Sequence, residues 1–274
     1  MKIISWNILQ GGLGRFERQI QLLVNRNVDV IALQEITSNG ASLYKNSLKD
    51  KGYKYLIDSF SLSEEAELLK GPRRYGELIA SRWPLTFLPP KEFDIPWKER
   101  VLSASIDSPY GMVEFHTTHI PPGCSNEWIK IETLEGIYKR LAINTIGYRI
   151  LCGDFNTPKE EKLDGTVIVW GEYLNGKGII KPNRNWGERW SKAEKDVMVS
   201  LANFDLIDVF RYKNGYGRLG YSWCVKRKSK SILRRFDHIF ASKKLNVVDC
   251  RYLYSVREDS LSDHSPIEAE FVPI

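Results

Sequence analysis

Two apolar strands joined by one amphipathic helix open the chain, and no other feature constrains its fold as much. Lys2 to Trp6 is a short apolar strand that ends at Asn7, and the glycine turn Gly11-Gly12-Leu13-Gly14 follows it. Phe16, Ile20, Leu23 and Val24 then recur at helical spacing. Val28 to Leu33 is a nearly continuous apolar strand ending in Gln34-Glu35. A strand–helix–strand unit with strands this apolar suits an α/β sandwich, because such strands need cover on both faces.

Further strands are predicted at Tyr53–Asp58, Glu77–Ser81, Leu102–Ile106, Met112–His119, Arg149–Cys152, Tyr221–Val225, Phe236–Ala241 and Ile267–Phe271. Helices are predicted at Ser42–Lys51, Trp128–Leu141 and Ser191–Asn203. Pro158 to Trp190 is rich in Gly, Asn and Trp and reads as an irregular surface insertion. With 274 residues, 42% of them apolar, and no long polar linker, one domain over residues 1–274 with an insertion around 158–190 is the expectation.

No run reaches the roughly 18 to 20 apolar residues that span a bilayer, and Met1-Lys2-Ile3-Ile4-Ser5 enters a strand without a signal peptide's apolar stretch. A cytoplasmic, monomeric protein without a membrane partner is expected. Cys124, Cys152, Cys224 and Cys250 are far apart, form no C-x-x-C pair and have no nearby His, so they read as reduced thiols rather than a zinc site.

Asn7, Glu35, His119, Asp154, Asn156, Asp237, Asp263 and His264 each lie at or just beyond the end of an apolar strand, where layered α/β folds collect function. One at a time they have dull explanations. Asp154-Phe155-Asn156-Thr157-Pro158 reads equally as a turn, and Asp263-His264-Ser265-Pro266 as a loop cap. Eight in one chain carry more weight.

In chain order, Ser5-Trp6-Asn7, Leu33-Gln34-Glu35, Thr118-His119, Gly153-Asp154-Phe155-Asn156, Phe236-Asp237-His238-Ile239 and Ser262-Asp263-His264-Ser265-Pro266 resemble the successive motifs of the endonuclease/exonuclease/phosphatase superfamily. The layout is similar to that of exonuclease III-type apurinic endonucleases and of deoxyribonuclease I, and it runs from residue 3 to residue 271. The resemblance implies a four-layer α/β/β/α sandwich of two packed mixed sheets, and phosphodiester hydrolysis by an activated water.

By that resemblance Glu35 is the principal Mg²⁺ ligand, with Mn²⁺ as a substitute, and Asn7 and Asp263 complete the metal region; oxygen donors are what such a hard cation requires. Asp154 is the water-orienting base, and Asn156 shares its strand face if the backbone stays extended, where it holds Asp154 and the phosphate. His264 contacts the scissile phosphate and Asp237 fixes its tautomer and favours its protonated form. His119 assists near the leaving oxygen or the phosphate, while His116, three residues earlier, faces the other way and reads as packed. Tyr75 and Glu77 resemble the Tyr-x-Glu of deoxyribonuclease I, which makes Glu77 the expected partner of His119.

Substrate class rests on the flanks. The net charge is +6, and Lys226-Arg227-Lys228-Ser229-Lys230 with Arg234-Arg235 lies between Trp223 and Asp237. A loop at the cleft rim is expected there, where Lys226, Arg227, Lys228, Lys230 and Arg234 grip phosphates and Trp223 stacks on a base or sugar; a solvated basic loop is the bland alternative. Nucleic acid is therefore the expected partner, DNA ahead of RNA.

Three departures weaken the narrower comparison with apurinic endonucleases. Arg234 stands where they carry a pocket Trp, Pro122 where they carry a phosphate-contacting Asn, and Leu9-Gln10 where a second acidic metal position is expected. The alternatives are a phosphatase or phosphodiesterase acting on a small or lipid phosphate, and a non-catalytic module that keeps the fold.

Overall fold

The computed structural model describes residues 1–10, 13–61, 63, 66–227 and 230–273. Lys2–Asn7 and Val30–Thr37 pair in parallel across the helix Phe16–Arg26, as their apolar runs predict. From edge to edge the first sheet runs Leu245–Tyr252, Ile267–Pro273, Lys2–Asn7, Val30–Thr37, Tyr75–Ser81 and Tyr55–Asp58. The second runs Ile207–Asp208, Asp237–Ala241, Tyr148–Asp154, Gly111–His119, Val101–Ser108 and Leu85–Leu88. Each contains one parallel pair among antiparallel ones, so both sheets are mixed.

Three apolar cores separate four layers. Ile3, Val30, Ala32, Ala104, Phe115, Ile150, Ile239 and Ala269 meet between the sheets. Their chain neighbours Ile4, Ile31 and Leu33 point the other way, onto Leu23, Tyr44 and Leu48 of the helices Phe16–Arg26 and Ser38–Asp50. On the far side, Leu151 and Phe240 pack against Ile131, Leu134, Ile137, Trp190 and Val197 of the helices Trp128–Leu141 and Gly187–Met198. Strands buried on both faces need apolar residues at successive positions, which is why these runs do not alternate. The architecture is the expected α/β/β/α sandwich.

Several expectations need correction. The Pro158–Trp190 stretch contains two short antiparallel ribbons, Glu160–Glu161 with Val167–Ile168 and Glu172–Leu174 with Ile180–Pro182, and the start of a helix. The basic segment is a β-hairpin, not a loop, with Trp223–Arg227 paired to Lys230–Arg234. Lys228 lies outside the described residues, as do Gly11, Gly12 and the side chain of Arg227. Leu245–Tyr252 escapes a sequence reading because a bulge between Val247 and Asp249 shifts the alternation of buried and exposed positions partway along the strand.

The four cysteines are free, and among the described residues no helix is long and apolar enough to cross a membrane.

Arg235 is not a rim cation. Strand residues alternate faces, and where Arg234 looks outward, Arg235 is buried against Glu161 at 2.6 and 2.7 Å and Asp208 at 2.6 Å, while Arg211 reaches Glu161 at 2.7 Å. This network ties the 158–190 stretch to the second sheet. Burial opposes ionisation of Glu161, but Arg235 and Arg211 outweigh it and hold its carboxyl down at about 2.

Arg235→Met takes the guanidinium from buried Asp208 and leaves Glu161 with Arg211 alone, and a loss of about 3–5 kcal/mol in urea-unfolding stability at pH 7 is expected. A folded-state pKa below the unfolded one contributes stability above the unfolded value and loses it as the pH falls. The gap between wild type and variant should therefore be full above about pH 4.5 and narrow towards pH 2. A variant as stable as wild type at pH 7 contradicts this assignment.

Candidate active site

The two parallel strand pairs end at the same edge of the sandwich. Asn7 stands in register with Gln34, and Asp154 has His119 on one side and Asp237 on the other. The loop carrying Asp263 and His264 is pinned over this edge. Ser262 Oγ donates to the Asn7 carbonyl (2.7 Å), Trp6 Nε1 donates to the His264 carbonyl (3.3 Å), and the Ser265 N–H donates to the Ser222 carbonyl (2.7 Å).

Glu35 reaches the cleft by a local distortion. Pairing of Val30–Thr37 with Tyr75–Ser81 slips between Leu33 and Ile36, and Glu35 adopts the left-handed conformation with φ +59°. A bulge re-aims a side chain that a regular strand would send into a core. Asn7 Nδ2 then donates both to Glu35 Oε1 (3.1 Å) and to Asp154 Oδ2 (2.9 Å), and Asn7 Oδ1 accepts from the Leu9 N–H at 3.1 Å. Burial, offset in part by Asn7, raises the Glu35 pKa.

Asp154 accepts the Asn156 backbone N–H on Oδ1 (2.9 Å), and its Oδ2 lies 3.8 Å from both His264 Nε2 and His119 Nε2. His264 Nδ1–H donates to Asp237 Oδ2 at 2.7 Å. Burial alone would lower the His264 pKa; Asp237 and Asp154 overcome it and keep the imidazolium protonated at neutral pH. Burial raises the Asp154 pKa, and His264 restrains the rise.

Asn156 departs from the extended backbone assumed for it: its φ is +51°, and its Nδ2 donates to the Ile120 carbonyl at 2.9 Å. It steadies Asp154 through the main chain rather than from a shared strand face.

The expected bond between Glu77 and His119 is not formed. His119 Nδ1 faces Arg100 Nη1 at 2.8 Å, and Arg100 also donates to the Pro72 carbonyl. Glu77, fully buried, accepts from Thr117 Oγ1 at 3.3 Å. Its Oε1 and the buried Tyr75 hydroxyl have no hydrogen-bond partner among the described residues. Tyr75 instead presents its ring to Arg74, 4.5 Å away.

Lys98-Glu99-Arg100 reads in sequence as a charged surface run, which hides Arg100. Its signal is positional: Val101 pairs with Thr118, which puts Arg100 opposite His119. His116 is packed as expected, between Ser103 (2.7 Å) and Glu114 (3.0 Å), and His238 faces away from Asp237 onto the Thr157 carbonyl.

Charge and donor chemistry here fit a divalent cation. Glu35, Asp154, Asp237 and the exposed Asp263 face Arg100 and protonated His264, so carboxyl groups outnumber cations, and Glu35 has no Lys or Arg at ion-pair distance among the described residues. Hard oxygen donors in excess negative charge suit a doubly charged ion. Asp154, Asp237 and His264 have donor atoms within 4.8 Å of one another, but Asp237 and His264 are already engaged with each other, which leaves the Glu35 side the better-suited one.

Beside His264 opens a cavity of about 570 Å³ lined by Asn156, Trp170, Trp186, Trp190, Trp223 and Phe236. Trp223 stacks on Phe236 with ring centroids 5.5 Å apart. Trp170, from the 158–190 stretch, donates Nε1–H to the Asn156 carbonyl (2.9 Å) and lies 5.7 Å from the Arg234 guanidinium carbon. Arg234 thus meets a tryptophan from elsewhere in the chain. Lys226 and Lys230 are exposed on the hairpin whose base is Trp223.

The model of the Endonuclease/Exonuclease/phosphatase family matches residues 4–264. Comparison with curated proteins returns no match. Among solved structures, an AP endonuclease from Archaeoglobus fulgidus is similar in fold, with TM-score 0.69, 22% identity, and 99% of each chain covered. The D. rerio TDP2 complexed with single strand DNA product gives 0.66 and 15%, covering 99% of this chain and 98% of that one. The 3′ phosphatase NExo from Neisseria, as a point variant bound to product DNA hairpin, gives 0.64 and 22%, with 99% of each covered.

Proposed function

The chain belongs to the endonuclease/exonuclease/phosphatase family, a family of hydrolases acting on phosphoester bonds, and from that premise we propose that it is a Mg²⁺-dependent nuclease, acting on DNA ahead of RNA. The observation that carries the chemistry is the chain of contacts from Glu35 through Asn7 to Asp154, and on to His264 and Asp237, around one opening. Glu35 is the principal cation ligand in this reading, with Asp263 and Asn7 Oδ1 at its flank.

Asp154 takes a proton from the attacking water, a role its raised pKa suits, while Asn7 and Asn156 fix its carboxylate plane. His264, kept cationic by Asp237, donates Nε2–H to a non-bridging phosphate oxygen. His119 lies across the opening, 3.7 Å from Glu35, beside the leaving oxygen. A bound divalent cation supplies Lewis-acid stabilisation of the charge that grows on the phosphate.

Nucleic acid is favoured by what surrounds the opening. An aromatic cavity next to His264 suits a base or sugar, and the exposed Lys226 and Lys230 lie on the hairpin that begins at Trp223 of its lining, which gives a phosphate backbone two cations to follow. Removing both lysines (Lys226→Ala with Lys230→Ala) is expected to raise KM with kcat nearly unchanged, and to flatten the salt dependence of single-strand binding by about 0.7 in log–log slope per lysine. Fluorescence anisotropy across a salt series measures it. An unchanged slope, with turnover confined to small phosphoesters, favours the phosphatase alternative.

A further inference from the structure

Arg100 immediately precedes the strand Val101–Ser108, His119 ends its antiparallel partner Gly111–His119, and both are buried, 3% and 5% exposed. Arg100 Nη1 is 2.8 Å from His119 Nδ1, and its second terminal nitrogen is fixed on the Pro72 carbonyl. A guanidinium has only donors and stays protonated, so the ring nitrogen facing it has to present a lone pair. We propose that Arg100 is a positioning residue that locks His119 as the neutral Nε2–H tautomer, making His119 a fixed hydrogen-bond donor to the substrate rather than a proton carrier.

Two observations support this. His119 Nε2 points into the opening, 3.7 Å from Glu35 Oε1 and 3.8 Å from Asp154 Oδ2, too far to be bonded to either and free to reach an oxygen placed between them. Glu77, the carboxylate that would hold the opposite tautomer by accepting an Nδ1–H, bonds Thr117 instead.

The two histidines then have different jobs. His264 is a cationic donor oriented by a carboxylate, and His119 a neutral donor oriented by a cation. Two imidazolium ions across one phosphate would repel each other and the cation at Glu35; a neutral donor avoids that cost and still stabilises the developing charge.

The inference rests on the cleft being a phosphodiesterase centre, but its test needs no substrate. In metal-free protein with ¹⁵N-labelled histidine, long-range ¹H–¹⁵N correlation should show His119 with a pyridine-type Nδ1 and a protonated Nε2. In Arg100→Met that signature should give way to a mixture of tautomers, with kcat down about 10²-fold and KM little changed, the scale of losing one preorganised donor.

Arg100→Lys, which keeps one donor, should restore the tautomer in part and with it part of kcat, and it serves if the Met variant does not fold. A protonated Nδ1 in wild type, or an Nε2–H signature unchanged in both variants, overturns the proposal. Loss of all nuclease activity in wild type with the tautomer as described would count against the function and leave this assignment standing.

Discussion

Asp154→Asn is expected to lower kcat by about 10²–10⁴-fold, the range for losing a general base, while KM stays within a few-fold of wild type. The substitution keeps the shape of the side chain and its bond from the Asn156 N–H, so the loop between Asp154 and Thr157 has no reason to move. What changes is the second oxygen. Oδ2, which accepts from Asn7 and faces both His264 and His119, becomes an NH₂ group that cannot accept a proton.

Stability should change little, because two effects oppose each other, and one is that the new NH₂ group faces the Asn7 Nδ2 donor and loses its hydrogen bond. Burial raises the Asp154 pKa, so its ionised form costs the folded state free energy at neutral pH, and a neutral amide removes that cost. Thermal unfolding together with steady-state kinetics on one preparation checks both halves. Loss of activity with a large fall in Tm would mean that Asp154 is mainly structural, and retention of most activity would remove it as the base.

Glu35→Gln is the second large effect. It leaves the bulge and the Asn7 contact in place but removes the charge on the carboxylate best suited to hold the cation. Turnover in Mg²⁺ should fall by about 10³-fold, on the scale of losing a transition-state charge stabiliser. A readout independent of turnover is available. Anything that binds only the native state raises its stability by about 2.7 kcal/mol at a hundred times its Kd, so millimolar Mg²⁺ or Mn²⁺ should raise Tm in wild type and not in Glu35→Gln. An equal rise in both would move the cation elsewhere, with Asp154, Asp237 and His264 as the next candidate group.

The candidate site is the legible part of this chain because its residues interrupt apolar strands. Asn7, His119 and Asp154 each end a run that the core requires, and a polar residue there has only the strand end to occupy. Glu35 was legible by order in the chain, although the left-handed bulge that aims it has no sequence mark beyond Gln34-Glu35 themselves.

What stayed hidden depends on side-chain direction and long-range partners. Arg234 and Arg235 look alike in sequence and face opposite ways, one to Trp170 and one into a buried ion network. Arg100 sits in a charged run, and Trp170 in a stretch without periodicity, yet both reach the candidate site, at His119 and at the Asn156 carbonyl, through contacts between segments far apart in the chain. Lys130 and Glu194, paired at 2.6 Å beneath the Asn156 carbonyl, lie on two helices whose periodic patterns are interrupted by these charges; only the packing of one helix on the other explains them.

The decisive experiment is a cleavage assay with the purified chain on end-labelled single-stranded, duplex, nicked and abasic DNA and matching RNA, in Mg²⁺ and in EDTA, beside a small phosphoester. Cleavage of at least one DNA substrate in Mg²⁺, abolished by EDTA and by Glu35→Gln, is the predicted result. No cleavage of any nucleic acid, with turnover of the small phosphoester intact, would contradict it.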